Sequence, residues 1–269
     1  AKLGARVSMV EKIGRDQFGD QLVESAAREG VDISAVLRSE DVSSGIGNII
    51  LEVNPGRAAE NRIIVVPGAN MKLSVNEIEF VSGIVSQYDL LMLQLEIPME
   101  VNEAAAGFAH ERGVPVMLNP APAAQLPDSL LSKLTYISPN EHEAASLTGI
   151  EIKRKGASVD LDTVKAAAEA LLAKGVGNVI ITLGESGAAY MSRDKFIYRP
   201  CVEGVTAVDP TAAGDSFTGA FCTAVCMGMP EEKALEFANY AAAVTVSKIG
   251  AQPSLPDFGE VKELMDRRC

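Results

Sequence analysis

The stretch Val208-Asp209-Pro210-Thr211-Ala212-Ala213-Gly214-Asp215-Ser216-Phe217-Thr218-Gly219-Ala220 holds the parts of a group-transfer site. A loop of Pro and small residues runs into an apolar helix expected from Ala213. Unpaired backbone N–H groups of that helix's first turn then point out of its positive end and make a candidate anion site. Gly214 lets a substrate approach the backbone closely, and Asp215 stands beside the donors as an acceptor-only carboxylate. Phosphoryl transfer to an alcohol needs this pairing: the carboxylate takes the hydroxyl proton while the N–H groups stabilise charge on the moving phosphoryl. The same Gly-Asp-Ser string also reads as an ordinary Asp-capped helix start, its commoner use.

Four further stretches could serve such chemistry. In Ser138-Pro139-Asn140-Glu141-His142-Glu143 a strand end passes into a helix, and Asn140 and Glu143 share one helical face. They offer hard oxygens to Mg²⁺, usually through water, and the same pair also makes a capping box. Thr182-Leu183-Gly184-Glu185-Ser186-Gly187 follows a buried strand, and its glycines and hydroxyl allow backbone to wrap a nucleotide phosphate, although such turns are common. Gln94-Leu95-Glu96 ends a strand, where ligands of open α/β sheets gather, which places Glu96 to accept sugar hydroxyls. Ser247-Lys248-Ile249-Gly250-Ala251-Gln252-Pro253-Ser254 is a Gly/Pro turn after a helix, with several carbonyls free to face inward.

The elements that must position these groups alternate along the chain. Strands are expected at Leu90–Leu95, Val114–Leu118, Tyr136–Ser138 and Val179–Leu183. Helices are expected at Gln17–Glu29, Met99–Arg112, Asn140–Leu147, Leu161–Lys174, Ala213–Met227, Glu231–Ser247 and Phe258–Arg267. That alternation is the pattern of a parallel sheet covered by helices on both faces. Two β-rich runs, Gly45–Val53 and Arg62–Val66, are joined by a turn at Asn54-Pro55-Gly56 and predict a hairpin at about 43–68 that projects as a lid or an oligomer contact. Ala1-Lys2-Leu3-Gly4 reads as the last turn of a glycine-capped helix running into a strand at Arg6–Val10. One domain over residues 1–269, with its N-terminal part lying upstream of Ala1, is the expected organisation.

Composition excludes several classes. With 36 Asp+Glu against 24 Lys+Arg the net charge is -12, which disfavours nucleic-acid and membrane-surface binding. A 47% hydrophobic content in 269 residues supports a substantial core and rules out disorder as the dominant state. The apolar runs are too short and interrupted to span a membrane. Four Cys without metal-type spacing fit a reducing, cytoplasmic setting, and two His leave no His-rich metal centre.

Taken in order, Gly68-Ala69-Asn70, Gln94-Leu95-Glu96, Asn119-Pro120-Ala121-Pro122-Ala123, Pro139-Asn140-Glu141, Thr182-Leu183-Gly184, Ala213-Gly214-Asp215 and Gly250-Ala251-Gln252-Pro253-Ser254 resemble the ribokinase group of pfkB-type sugar kinases. The resemblance spans nearly the whole chain. It implies an α/β, ribokinase-like three-layer sandwich with a mostly parallel central sheet and a small β-hairpin lid, acting on ribose with ATP, Mg²⁺ and K⁺, as a homodimer. Carried over, Asp215 is the base, with Ala212, Ala213 and Gly214 as anion hole. Asn140, Thr182, Leu183, Gly184, Glu185, Ser186, Gly187 and Asn239, with Gly214 and Asp215, line the ATP site. Glu143 lies near Mg²⁺, and Glu96 and Asp215 touch the sugar. Asp209, Thr211, Thr245, Lys248, Gly250 and Ser254 surround K⁺, mostly through carbonyls, so that the Lys248 ammonium can point away. The group also carries, upstream of the position matching Ala1, a strand with a sugar-binding Asp, further lid strands and a Gly-Gly-Lys-Gly-Ala-Asn motif. Fructose, a deoxy-sugar acid or a nucleoside are the alternative acceptors, and a catalytically silent nucleotide-binding scaffold is the alternative of another class.

Overall fold

The computed structural model describes residues 1–52, 60–156 and 158–267. The chain opens with β1 (Ser8–Gly14), α1 (Gln17–Arg28) and β2 (Asp32–Ser39), followed by the hairpin β3 (Ile46–Glu52) and β4 (Glu60–Val66). After short helical turns that include α2 (Val81–Ile84) come β5 (Leu91–Gln94), α3 (Met99–Glu111), β6 (Val116–Asn119), α4 (Asp128–Leu131), β7 (Tyr136–Ile137) and α5 (Glu141–Thr148). A two-residue hairpin, β8 (Arg154–Lys155) and β9 (Ser158–Val159), precedes α6 (Leu161–Ala173), β10 (Asn178–Thr182), β11 (Ala188–Met191) and β12 (Phe196–Arg199). Three helices close the chain: α7 (Ala213–Cys226), α8 (Glu231–Val246) and α9 (Phe258–Asp266).

Six strands form the central sheet in the order β12-β11-β10-β7-β6-β5. The four on the β5 side run parallel, and β11 and β12 are antiparallel additions. Because side chains alternate across a strand, Val116, Leu118, Ile137, Val179 and Ile181 face one core with α3, α5 and α6. Met117, Tyr136 and Ile180 face the other, packed against α7, α8 and α9. Both faces are covered, which is why these strands read as continuous apolar runs. The result is the expected three-layer sandwich. β1 and β2 pair in parallel as a separate two-stranded sheet. Val10 and Leu37 of that pair pack on the first core, and the Tyr88 hydroxyl donates to Ser8 Oγ at 2.9 Å.

Several boundaries shift. The strand expected at Arg6–Val10 runs instead over Ser8–Gly14, and β2, β11, β12 and the β8–β9 pair were not expected at all. Ala1–Gly4 closes as a turn, Gly4 N–H to Ala1 O at 2.7 Å, with Gly4 at φ 96°. The helix expected from Asn140 begins at Glu141 with Asn140 as its cap.

The hairpin pairs from Ile46↔Val66 to Glu52↔Glu60; the Asn54-Pro55-Gly56 turn lies outside the described residues. Its base is pinned by Asp16, whose Oδ1 accepts from Gly19 N and Ser44 Oγ, both at 2.8 Å, and whose Oδ2 accepts from Ser44 N at 2.7 Å. Gly68 completes the pin: at φ 54°, a β-carbon there would meet the Ser43 carbonyl at 2.5 Å. Ile46, Ile49, Ile50, Ile63, Ile64, Val65 and Val66 all remain exposed on the hairpin. Among the described residues no helix is long and apolar enough to cross a membrane.

Candidate active site

The carboxyl ends of the parallel strands open onto a cavity of about 140 Å³. The end of β6 contributes Asn119 and Ala121, and the β7–α5 junction contributes Ser138, Asn140 and Glu143. Thr182 enters from the end of β10, and the far wall is Pro210, Ala212, Ala213, Gly214, Asp215 and Thr218 at the start of α7. The backbone explains the convergence. Thr182 N–H donates to the Pro139 carbonyl at 3.0 Å, bridging Asn140 to Thr182 across the two strand exits. Thr218 Oγ1 reaches Ser138 Oγ at 3.4 Å across the sheet end.

Helix α7 starts in an unusual way. Its cap, Ala212, has φ 61°, the one left-handed non-glycine among the described residues, a strained geometry that persists only where the surroundings over-determine it. Ala213 N–H turns back to the Pro210 carbonyl at 3.2 Å and Ser216 N–H to Ala212 O at 2.9 Å. Gly214, the second residue of the helix, lines the cavity. A β-carbon on Gly214 would meet nothing within 4 Å. No protein atom therefore demands a glycine there, and the open space serves whatever approaches the first turn.

Asp215 stands at the cavity mouth, open to solvent on one side and flanked by dense protein on the other. Desolvation by that protein raises its carboxyl above the usual range. Asn119 Nδ2 lies 3.5 Å from Asp215 Oδ1, a weak orienting contact. Glu143 is buried at 8% exposure, and desolvation also raises its carboxyl, against the lowering effect of the Asn140 amide and with a further rise from the Asp215 charge. The capping-box reading of the Asn140–Glu143 pair holds. Asn140 Oδ1 accepts from Glu143 N at 2.9 Å and Glu143 Oε2 from Asn140 N at 2.8 Å, while both side chains still line the cavity.

Other expected residues lie around this centre. The Leu183 side chain is fully buried in the core, so only its backbone is available to a ligand. Gly184 (φ 56°) and Gly187 (φ 93°) shape the loop after β10, and a β-carbon on Gly187 would overlap the Arg199 carbonyl. That contact joins the loop to a second cavity of about 400 Å³ between the end of β12 and α8, lined by Arg199–Glu203, Glu236, Asn239 and Tyr240. Asn239 belongs there, donating to the Arg199 and Pro200 carbonyls at 3.3 and 3.1 Å. Glu96 is exposed two residues past Gln94, whose register partner is Asn119, and the cavity lining does not include it.

The loop beside α7 is held by Asp209. Its Oδ1 accepts from Thr211 N and its Oδ2 from Gly250 N, each at 2.9 Å. Desolvation pushes this carboxyl up, but the Thr211 hydroxyl and the Gly250 and Thr211 amides outweigh it and leave its pKa below the usual value. Thr211, Thr245 and Ser254 are buried nearby. Lys248 pairs its ammonium with Glu260 at 2.5 Å. No cluster of three His, Cys, Asp or Glu is found among the described residues. Asn119, Ala121, Ser138 and Thr218 lie in stretches quoted from the sequence but were assigned no site role there. The rule that ligands gather at strand ends, applied there to Gln94–Glu96, would also have found Asn119.

The sequence that builds this cavity is matched by the model for "pfkB family carbohydrate kinase" over residues 1–257. The chain belongs to the pfkB family of carbohydrate kinases. As a member of that family it transfers phosphoryl groups to an alcohol group of a carbohydrate. A ribokinase of Schizosaccharomyces pombe is 39% identical over 259 residues, covering 95% of this chain and 78% of the relative. A deoxyribokinase of Salmonella typhi is 34% identical, covering 98% and 83%. The Arabidopsis thaliana ribokinase solved with ribose and ATP superposes with a TM-score of 0.86 at 31% identity, covering 98% of this chain and 83% of that one.

Proposed function

We propose that this pfkB kinase transfers the γ-phosphoryl group of ATP to the 5-hydroxyl of D-ribose. The carrying observation is the cavity that Asp215 and the first turn of α7, Ala212 to Gly214, line together, in a chain 39% identical to a ribokinase. Asp215 takes the hydroxyl proton as the sugar oxygen bonds to the γ-phosphorus, and the bond to the ADP oxygen breaks with its electron pair on ADP. The α7 first turn stabilises charge on the equatorial oxygens. Asn119 orients the carboxylate of Asp215, and Glu96 accepts sugar hydroxyls at the outer rim.

The nucleotide runs from the second cavity, where Asn239 lies, past the Thr182–Gly187 loop and Asn140 to the start of α7. The Gly187–Arg199 contact supports this path by making the loop and that cavity neighbours. Glu143 suits a hydrated Mg²⁺: one carboxylate oxygen is held by the Asn140 amide and the other remains for water. The ion, when bound, supplies positive charge to the phosphate chain. The Asp209, Thr211, Thr245, Lys248, Gly250 and Ser254 loop suits K⁺, since its groups are oxygen donors and the Lys248 ammonium pairs elsewhere.

Residues 1–269 act as one catalytic domain with the β3–β4 hairpin as lid, and a second copy covers the hairpin's exposed isoleucines and valines. A cytoplasmic setting fits the unpaired cysteines. The deoxyribokinase relative favours a second acceptor, 2-deoxyribose. A panel of ribose, 2-deoxyribose, fructose and a nucleoside, each with ATP and Mg²⁺, tests the reading. Highest kcat/KM with ribose is expected, and preference for another acceptor, or ATP binding without transfer to any, rejects it.

A further inference from the structure

The loop that carries the nucleotide in this reading is soft by itself. Gly184 and Gly187 both sit at positive φ, and its internal bonds are three backbone contacts: Leu183 N to Gly187 O, Ser186 N to Leu183 O and Gly187 N to Gly184 O. What holds it from outside is Tyr198, whose hydroxyl donates to Ser186 O at 2.7 Å, and one guanidinium. Arg154, in β8 of the small hairpin after α5, donates from Nη1 to Ser186 Oγ at 3.2 Å. Its Nη2 donates to the Leu183 carbonyl at 3.1 Å and to Glu141 Oε2 at 2.9 Å, and Glu185 lies 3.9 Å from Nη1. A planar guanidinium fork thus ties both ends of the loop's turn to the first residue of α5, the helix whose cap is Asn140.

Charge gives the tie a second consequence. The catalytic cavity is lined by two carboxylates, Glu143 and Asp215, and by no Lys or Arg, with Glu141 and Glu185 close by. A polyphosphate entering here meets acidic side chains, and Arg154 is the cation set against the loop.

From this placement we infer that Arg154 is a positioning residue for the nucleotide: it fixes the Leu183–Ser186 turn against α5 and offsets the acidic rim, without touching the transferred phosphoryl. The inference rests on the nucleotide path proposed above. Its test is calorimetric titration of Mg·ADP, with no turnover required, into the wild type and Arg154→Met, Arg154→Lys and Glu141→Gln variants, alongside steady-state kinetics. Arg154→Met is expected to weaken Mg·ADP binding and raise the ATP KM by about 5- to 20-fold, with kcat at saturating ATP within about two-fold and ribose KM unmoved. Arg154→Lys restores most of the loss, and Glu141→Gln, which frees only the far end of the tie, gives a smaller rise. If Arg154→Met misfolds, the lysine and glutamine variants decide. Unchanged Mg·ADP affinity in every folded variant, or a fall in kcat with affinity intact, overturns the inference. A wild type that binds Mg·ADP yet phosphorylates no ribose instead overturns the proposed function and leaves this inference standing.

Discussion

Asp209 and Asp215 lie six residues apart in the same loop–helix junction and carry opposite shifts. Asp215 is raised by desolvation, with the long 3.5 Å contact from the Asn119 amide beside it. Asp209 is lowered because two backbone amides and a hydroxyl outweigh the desolvation it suffers. The linkage signs follow. For Asp215 the unfolded chain releases its proton first as pH rises, so the folded state loses stability between the unfolded and the raised folded pKa and carries that cost at neutral pH. Asp215→Asn is expected to raise the melting temperature at neutral pH while lowering kcat about 10²- to 10⁴-fold and leaving ATP binding nearly intact. It also removes the acid limb of kcat/KM, which in the wild type falls as pH drops through a pKa above the ordinary aspartate value. Asp209 contributes stability above its unfolded pKa and loses it as pH falls through the lowered folded value. Asp209→Ala strands the Thr211 and Gly250 amides and is expected to cost about 1–3 kcal/mol in urea unfolding at neutral pH, and less in acid.

At the scale of elements, the site is a meeting of strand exits with one helix start, and two glycines there do different jobs. Nothing in the protein touches the place a Gly214 β-carbon would occupy, whereas Gly187 stands at positive φ with the Arg199 carbonyl against it. Gly214→Ala is therefore expected to leave the melting temperature unchanged or slightly raised, since alanine is the better helix former, and to reduce kcat by at least tenfold by crowding the anion hole. Gly187→Ala should instead unfold the protein several degrees early. Paired thermal melts and rate assays separate the two.

Element order was legible because β6, β7 and β10 are buried on both faces and α3, α5, α6, α7 and α8 carry alanine-containing apolar stripes. β11 and β12 were not, because Ala188–Met191 and Phe196–Arg199 are short antiparallel additions without the helix that announces a parallel strand. β2 was missed in the same way, since Asp32–Ser39 mixes Asp, Ser and Arg with its apolar residues. In the site, Asp215, Gly214, Asn140 and Glu143 could be read from local strings. Asn119 stood within reach of the strand-end rule, but Ser138 and Thr218 did not, because only the packing of β7 against α7 makes them neighbours.

At the scale of the whole molecule, a chain of net charge -12 that handles a polyphosphate must concentrate its positive potential locally. The amides at the start of α7, Arg154 set against the loop and a hydrated cation at Glu143 are the means proposed for it. The apolar hairpin is the other global feature, since seven exposed Ile and Val side chains on one two-stranded unit invite a partner surface. Placing lysines at the register partners Ile49 and Ile63 is expected to shift sedimentation to the monomer without changing the melt; an unchanged oligomer would remove the hairpin from the interface. The central claim is that this acidic α/β kinase phosphorylates ribose with Asp215 as base. It is tested most directly by following ³¹P resonances of ATP, Mg²⁺, K⁺ and ribose with the wild type and with Asp215→Asn. The account predicts ribose 5-phosphate and ADP from the wild type, and formation about 10²- to 10⁴-fold slower from the variant. No sugar phosphate from the wild type, or equal rates from both, would contradict it.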